Sequence, residues 1–84
     1  MIIQRKINDF KLTLQNKDKN INFSIDYNEN DKFKEIEDKF IEKYPDFSNF
    51  DLNFHVNEKS IKRHKALKDN KIQNNDIIIV DIEE

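Results

Sequence analysis

Side chains that could carry out catalysis are few in this sequence, and their spacing assembles no coherent catalytic group. There are two histidines, His55 and His64, three serines, Ser24, Ser48 and Ser60, and no cysteine. No cluster of histidines and carboxylates has the spacing of metal ligands. The acidic residues are numerous, but they fit the solvated side of a helix better than a paired general acid and base. The sequence therefore predicts no enzyme activity, no cofactor and no metal site.

Glycine is absent from all 84 residues, which limits the chemistry further. Phosphate-binding loops need glycine because their backbone approaches the ligand closely and takes positive φ angles. The usual nucleotide-binding motifs are thereby excluded. Asparagine is abundant and tolerates the left-handed region better than other non-glycine residues, so we expect it at turns.

Length and composition bound the class of protein. Eighty-four residues predict one domain, and seven phenylalanines argue for a folded core although 38% of the residues are charged. A net charge of −2 gives no bulk attraction to nucleic acid or to an anionic membrane. No apolar run approaches the ~18 residues of a membrane span, and no signal peptide is evident. The expected location is cytoplasmic or nuclear, with an organelle as an open alternative.

The charges are unevenly distributed along the chain. Residues 59–71 hold six basic residues and one acid, whereas residues 26–51 hold nine acids and four lysines. A basic segment can contact nucleic-acid phosphates or an acidic partner, although this one lacks interleaved aromatic residues for stacking on bases. An ordinary solvated loop is the alternative. The candidate binding residues in this basic segment are Lys59, Lys62, Arg63, Lys65 and Lys68.

Two runs of alternating apolar and polar residues predict a β-hairpin in the first third of the chain. Phe10–Gln15 and Ile21–Tyr27 each alternate with period two, and the polar residues 16–20 between them have the length of a hairpin loop. Residues 1–9 are expected to form a leader that extends the first strand or docks on a partner, and residues 10–84 the domain.

A helical period follows the hairpin. Apolar residues recur at three- and four-residue spacing, with charged residues between them, which predicts an amphipathic helix of three to four turns. Its apolar positions are Phe33, Ile36, Phe40, Ile41 and Tyr44. Asn30 or Asp31 is the expected N-cap, and Pro45 ends the helix because it disfavours the helical region at the residue before it.

The second half of the sequence predicts three more strands. Residues 52–56 alternate, with Leu52, Phe54 and Val56 inward, and residues 57–60 form a turn before a short strand anchored by Ile61. The β-branched run 77–80 predicts a buried final strand. Phe47 and Phe50 are the expected anchors of the connection after the helix, which is otherwise polar.

This order of elements resembles ubiquitin and the wider β-grasp group. The apolar spacing is most similar from residue 52 onward, at Leu52, Phe54, Ile61, Leu67, Ile72, Ile78 and Val80. The resemblance implies an α+β fold in which a four- to five-stranded mixed sheet is covered by one amphipathic helix. It also implies that the last strand lies in the sheet interior beside the first.

Two departures from ubiquitin bear on function. Conjugated relatives carry a terminal diglycine, whereas this sequence ends D-I-E-E, so conjugation and sulfur transfer are not expected. Ubiquitin is bound mainly through an apolar patch on the open face of its sheet. The matching positions here are Asn53, Ile79 and Asp81, and Ile77 adds apolar surface beside Ile79. Asn53, Ile77 and Ile79 are therefore candidate partner-binding residues, and the alternative is that residues 1–9 partly cover Ile77.

The first functional hypothesis is a non-enzymatic ubiquitin-like protein that binds a protein partner as an interaction or structural subunit of a larger assembly. One alternative is a small ubiquitin-like accessory protein of a bacterial type VII secretion system, a group that also lacks the diglycine tail. The other is binding of nucleic acid or an acidic partner through the basic segment.

Overall fold

One mixed sheet and an α-helix dominate the computed structural model, which describes residues 10–83. The helix, α1, spans Phe33–Lys43. The five strands are β1 Phe10–Asn16, β2 Ile21–Tyr27, β3 Asp51–Val56, β4 Lys59–Ser60 and β5 Asp76–Glu83. Two 3-10 helices lie in the connections, at Pro45–Asn49 and Lys68–Asn70. The predicted α+β fold, with four to five strands and one amphipathic helix, is confirmed.

The strand order is β2-β1-β5-β3-β4, with β5 at the centre. It pairs in parallel with β1, where Leu14 lies opposite Ile78, and antiparallel with β3, where Phe54 lies opposite Val80. A strand paired on both sides and covered on one face suits β-branched side chains. The predicted interior position of the last strand, beside the first, is confirmed.

The expected leader, residues 1–9, lies outside the described residues. Within residues 10–83, no helix is both long and apolar enough to cross a membrane.

Seven consecutive residue pairs join β1 to β2, from Phe10 opposite Tyr27 to Asn16 opposite Ile21. The predicted hairpin is therefore confirmed. Strand β1 runs one residue further than the alternation indicated, because the inward position at its end is held by the polar Asn16.

Asparagine supplies three of the five positive φ angles among residues 10–83, as expected for a chain without glycine. Asn20, Asn57 and Asn75 have φ of 56°, 52° and 72°. Glu58 and Lys71 have φ of 68° and 62°, a conformation that costs an ordinary residue roughly 1–2 kcal/mol. Glu58 shares the tight β3–β4 turn with Asn57, and Lys71 ends the second 3-10 helix, so both are held there by the structure on either side.

The predicted N-cap of α1 is wrong. Lys32 takes the N-cap position, and no side chain caps the helix. The first backbone N–H groups are instead bonded by the returning chain: Phe33 donates to the carbonyl of Lys65 and Lys34 to that of Arg63, each at 3.1 Å. A helix N-terminus needs acceptors for its free N–H groups. Here the acceptors are backbone carbonyls that lie about thirty residues later in the sequence.

The same returning chain runs along the segment before α1. The N–H of Leu67 donates to the carbonyl of Asp31 at 2.8 Å, and that of Lys68 donates to Glu29 at 3.0 Å. A bridge between Lys32 and Ala66 completes the contact. The start of α1 is therefore fixed by tertiary contacts.

The core lies between α1 and the sheet, and Phe40 is at its centre. Its ring centroid is 5.0 Å from that of Phe47, 5.3 Å from Tyr44 and 6.0 Å from Phe23. Phe40 is fully buried, as are Phe33 and Ile36 on the same side of the helix. The buried apolar residues form one cluster: Leu12, Leu14, Tyr27, Phe33, Ile36, Phe40, Phe47, Leu52, Phe54, Val56, Leu67, Ile72, Ile78 and Val80.

Two predicted anchors differ from the structure. Phe47 is buried within the 3-10 helix Pro45–Asn49, but Phe50 is 41% exposed, because it follows that helix as an extended residue outside it. Ile61 follows β4 instead of lying within it. It is half-buried and donates its N–H to the carbonyl of Phe54 at 2.9 Å. The predicted turn over residues 57–60 is accordingly shorter, since residues 59 and 60 form β4.

Asn16 is a buried polar residue that the sequence patterns did not single out. It is 3% exposed. Its side-chain nitrogen donates to the carbonyl of Val80 at 2.8 Å, and its oxygen accepts from the backbone N–H of Lys19 at 2.8 Å. The amide thus joins the β1–β2 turn to the central strand.

We expect Asn16→Ala to lower the free energy of unfolding by about 1–3 kcal/mol, because a buried carbonyl loses its donor and a turn loses its acceptor. Asn22→Ala, at an exposed position of β2, is the matched control and should change stability by less than about 0.5 kcal/mol. Urea denaturation of both variants measures the difference. Equal midpoints would show that the Asn16 amide contributes nothing.

Candidate partner-binding site

The side chains opposite α1 form an open sheet face. Along β5 the alternation of strand side chains buries Ile78 and Val80 beneath the helix and turns Ile77 and Ile79 to the other side. No element among residues 10–83 covers that side, because the chain's α-helix and its buried cluster both lie against the opposite face.

Ile77 and Ile79 form the apolar centre of this open face. Ile77 is 49% exposed, and Ile79 is half-buried. Ile77 lies opposite Thr13 of β1, and Ile79 lies between Gln15 of β1 and His55 of β3. Because β5 is the central strand, the two isoleucines stand in the middle of the face with polar side chains on both flanks.

The polar flank on the β3 side is ordered by side-chain contacts. The Nε2 atom of His55 lies 3.4 Å from an Asp81 carboxylate oxygen, and the Asn53 amide donates to the carboxylate of Glu83. On the other flank, the hydroxyls of Thr13 and Ser24 are 3.1 Å apart. The sequence placed Asn53, Ile77, Ile79 and Asp81 on the open face, and the structure places them there.

A shallow cavity adjoins the apolar centre. It has a volume of about 270 Å³ and is lined by Ile79, Asp81 and residues 16–18 of the β1–β2 turn. Such a hollow beside the half-buried Ile79 can receive one apolar side chain of a partner.

The basic segment lies elsewhere. Lys59 is opposite Val56, whose side chain is buried, so Lys59 projects toward the helix side of the sheet edge. Residues 63–65 pack their backbone against the start of α1. The structure therefore does not bring the five basic candidates onto the face that carries Ile77 and Ile79, although Lys59, Lys62, Arg63, Lys65 and Lys68 are all exposed.

Arg63 has a structural role that its sequence context did not reveal. Its Nε atom lies 2.8 Å from the carboxylate of Glu37 on α1, and its guanidinium donates to the carbonyl of Leu52 at 3.2 Å. The guanidinium carbon also lies 5.9 Å from the Phe54 ring centroid. Arg63 thereby links the helix to β3, which reduces its availability to an outside ligand.

A groove beside the C-terminal end of α1 was also missed by the sequence analysis. Its volume is about 460 Å³, and its lining includes Ile21, Tyr44, Phe47 and Phe50. The Nζ atom of Lys19 lies 5.8 Å from the Phe50 ring centroid. Phe47 and Phe50 are three residues apart, and the exposed Phe50 ring lines the groove together with the buried Phe47 ring.

No three histidine, aspartate or glutamate side chains between residues 10 and 83 lie close enough to hold a metal ion. Burial raises the pKa of the Tyr27 phenol, and the charges of Asp76 and Glu29 raise it further. Tyr27 stacks on Phe10 in the core, where its ring centroid is 5.6 Å away, so this shift follows from packing.

Comparison with solved structures shows the fold to be ubiquitin-like. The chain is similar to a designed protein based on ubiquitin, with a TM-score of 0.77 over 90% of each chain and a sequence identity of 10%. No family model and no curated protein matches the sequence.

Proposed function

We propose that this chain is a non-enzymatic ubiquitin-like binding protein that holds a protein partner non-covalently as a subunit of a larger assembly. The observation that carries the proposal is the exposed apolar centre of the sheet, where Ile77 and Ile79 stand among ordered polar side chains. Contiguous apolar surface on a sheet face is a feature of interaction sites, and Ile77 and Ile79 lie two residues apart on the same face of β5.

The size of this centre indicates what the partner must supply. Covering a fully exposed isoleucine is worth about 1.5–3 kcal/mol, and Ile77 has about half of its surface left to cover. The two isoleucines therefore support a small interface, and the partner must add polar contacts to the flanks. Asn53, His55 and Asp81 offer amide, imidazole and carboxylate groups for that purpose.

The test is a purification under native conditions of the tagged chain from its own cells, followed by a binding measurement with the purified partner. The double variant Ile77→Asp/Ile79→Asp should weaken binding at least tenfold, which corresponds to about 1.4 kcal/mol. Lys62→Glu/Lys65→Glu, on the basic segment, is the matched control and should bind normally. The reverse result would move the site to the basic segment and contradict the proposal.

Denaturing electrophoresis of the same preparation tests the non-covalent part. The partner should separate completely from the tagged chain. A single band that contains both the tagged chain and the partner after denaturation would show a covalent adduct and contradict the non-covalent part. Loss of binding in the isoleucine variant would, in that case, still support the sheet face as the binding site.

A further inference from the structure

The strand β2 forms one edge of the sheet. Its neighbour is β1, and no segment between residues 10 and 83 pairs with its other side. Alternate residues of such a strand direct their N–H and C=O groups away from the sheet. Proteins usually protect an edge of this kind with proline, lysine, a bulge or a covering segment.

Within residues 10–83, β2 has none of those protections. Its seven residues, INFSIDY, contain no proline and no basic residue. Its register with β1 is continuous, so no bulge interrupts it. The strand has one charged side chain, Asp26, and Lys11 on β1 lies 2.9 Å from its carboxylate. An edge this long and regular is suited to pairing with another strand.

We propose that β2 pairs antiparallel with β2 of a second copy of this chain, centred on Ser24. The sequence of β2 is self-complementary about that residue. Ser24 meets Ser24 of the partner subunit, Phe23 meets the partner's Ile25, and Asn22 meets the partner's Asp26. No like charges face each other, and apolar residues lie opposite apolar residues, which is the pairing that stabilises adjacent strands.

The inward side chains of β2 support the same partner. Ile21, Phe23 and Ile25 are half-buried, whereas Ile78 and Val80 of the central strand are fully buried. Phe23 is held in position by the rings of Phe40 and Tyr44, whose centroids lie 6.0 Å and 5.9 Å away. A second copy would place the same three apolar residues beside them, on the same side of the sheet.

The symmetry of this pairing gives a closed dimer, to which no third copy can add through the same edge. A two-fold axis normal to the sheet at Ser24 joins two five-stranded sheets into one and keeps both helices on one side. The open face with Ile77 and Ile79 stays uncovered. The dimer is therefore independent of the proposed partner-binding site, and either can fail without the other.

Cysteine cross-linking tests the register directly, since the sequence contains no cysteine. In Ser24→Cys the two Cα atoms of the centred pair would be about 4.5–5.5 Å apart, within the range of a disulfide. In the control Asn22→Cys, each cysteine would face residue 26 of the second copy. The two cysteines would therefore be four residues apart along the strands, a distance of about 13 Å. Mild oxidation should link most of the Ser24→Cys chains and few of the Asn22→Cys chains. Equal linking of both would indicate random collision and overturn the register.

The mass of the unmodified protein in solution provides the second measurement. Sedimentation equilibrium from micromolar to millimolar concentration should show a mass rising to twice that of the monomer. Ser24→Lys, which would set two ammonium groups opposite each other, should shift dimerisation to at least tenfold higher concentration with an unchanged thermal transition. A constant monomer mass in the unmodified protein, or growth beyond the dimer, would overturn the proposal.

Discussion

Ile78→Asp is expected to abolish folding. Ile78 is fully buried at the centre of β5, where it lies opposite Leu14 in the apolar cluster. An aspartate there would bury a carboxylate with no partner, at a cost of several kcal/mol or more. The lost isoleucine contacts add about 2–5 kcal/mol. Together these costs match the ~5–15 kcal/mol by which a small domain is stable. Circular dichroism and thermal denaturation should show no cooperative transition.

The neighbouring residue provides the control for this experiment. Ile77→Asp makes the same chemical change one position along the strand, where the side chain is 49% exposed on the open face. It should fold with a nearly normal transition. If Ile78→Asp also kept a cooperative transition, the inward assignment of Ile78, and with it the register of β5, would be contradicted.

Phe40→Ala is expected to have the next largest effect. The variant should lose about 3–5 kcal/mol of unfolding free energy, which is typical of removing a buried phenylalanine. Phe40 is fully buried, and its ring meets those of Phe47, Tyr44 and Phe54 at 5.0, 5.3 and 6.4 Å. Its loss would leave a cavity between the helix, the first 3-10 helix and the sheet. These three elements are packed against one another and cannot all shift to close it.

Phe50→Ala is the matched control, because it removes the same ring from a position that is 41% exposed. Urea denaturation should give a loss below about 1 kcal/mol for Phe50→Ala with an unchanged slope. Similar losses for the two variants would mean that the ring cluster around Phe40 does not bear the stability we assign to it.

The strands and the helix could be predicted because burial alternates with the period of each element. Residues 21–27 and 52–56 showed the period of two that the structure has, and Phe33, Ile36 and Phe40 showed the helical period. The interior position of the last strand, beside the first, followed from the apolar run in residues 77–80 and from the resemblance to ubiquitin. These features are local patterns set by one buried face.

The errors arose where a residue's role depends on distant contacts. The acceptors at the start of α1 belong to residues 63 and 65, so the local signal at Asn30 and Asp31 was misleading. Asn16 looked like part of a loop because it is polar, although its partner is Val80 in the central strand.

In the candidate site, too, the features set by local patterns could be predicted and those set by distant contacts could not. The positions of Asn53, Ile77 and Ile79 on the open face follow from counting along a strand, and the structure places them there. The direction of the basic segment depends on the path of residues 61–67 back toward the helix, which no periodicity encodes. The ion pair between Arg63 and Glu37 therefore could not be read from the sequence.

The central position of β5 has a consequence for synthesis of the chain on the ribosome. β5 is the last described element to emerge, yet both β1 and β3 pair with it. Until it emerges, Leu14 and Phe54 have no strand between them, and an eleven-residue helix is marginal by itself. We therefore expect these elements to stay largely unfolded in the nascent chain until β5 has emerged, and then to fold in one step.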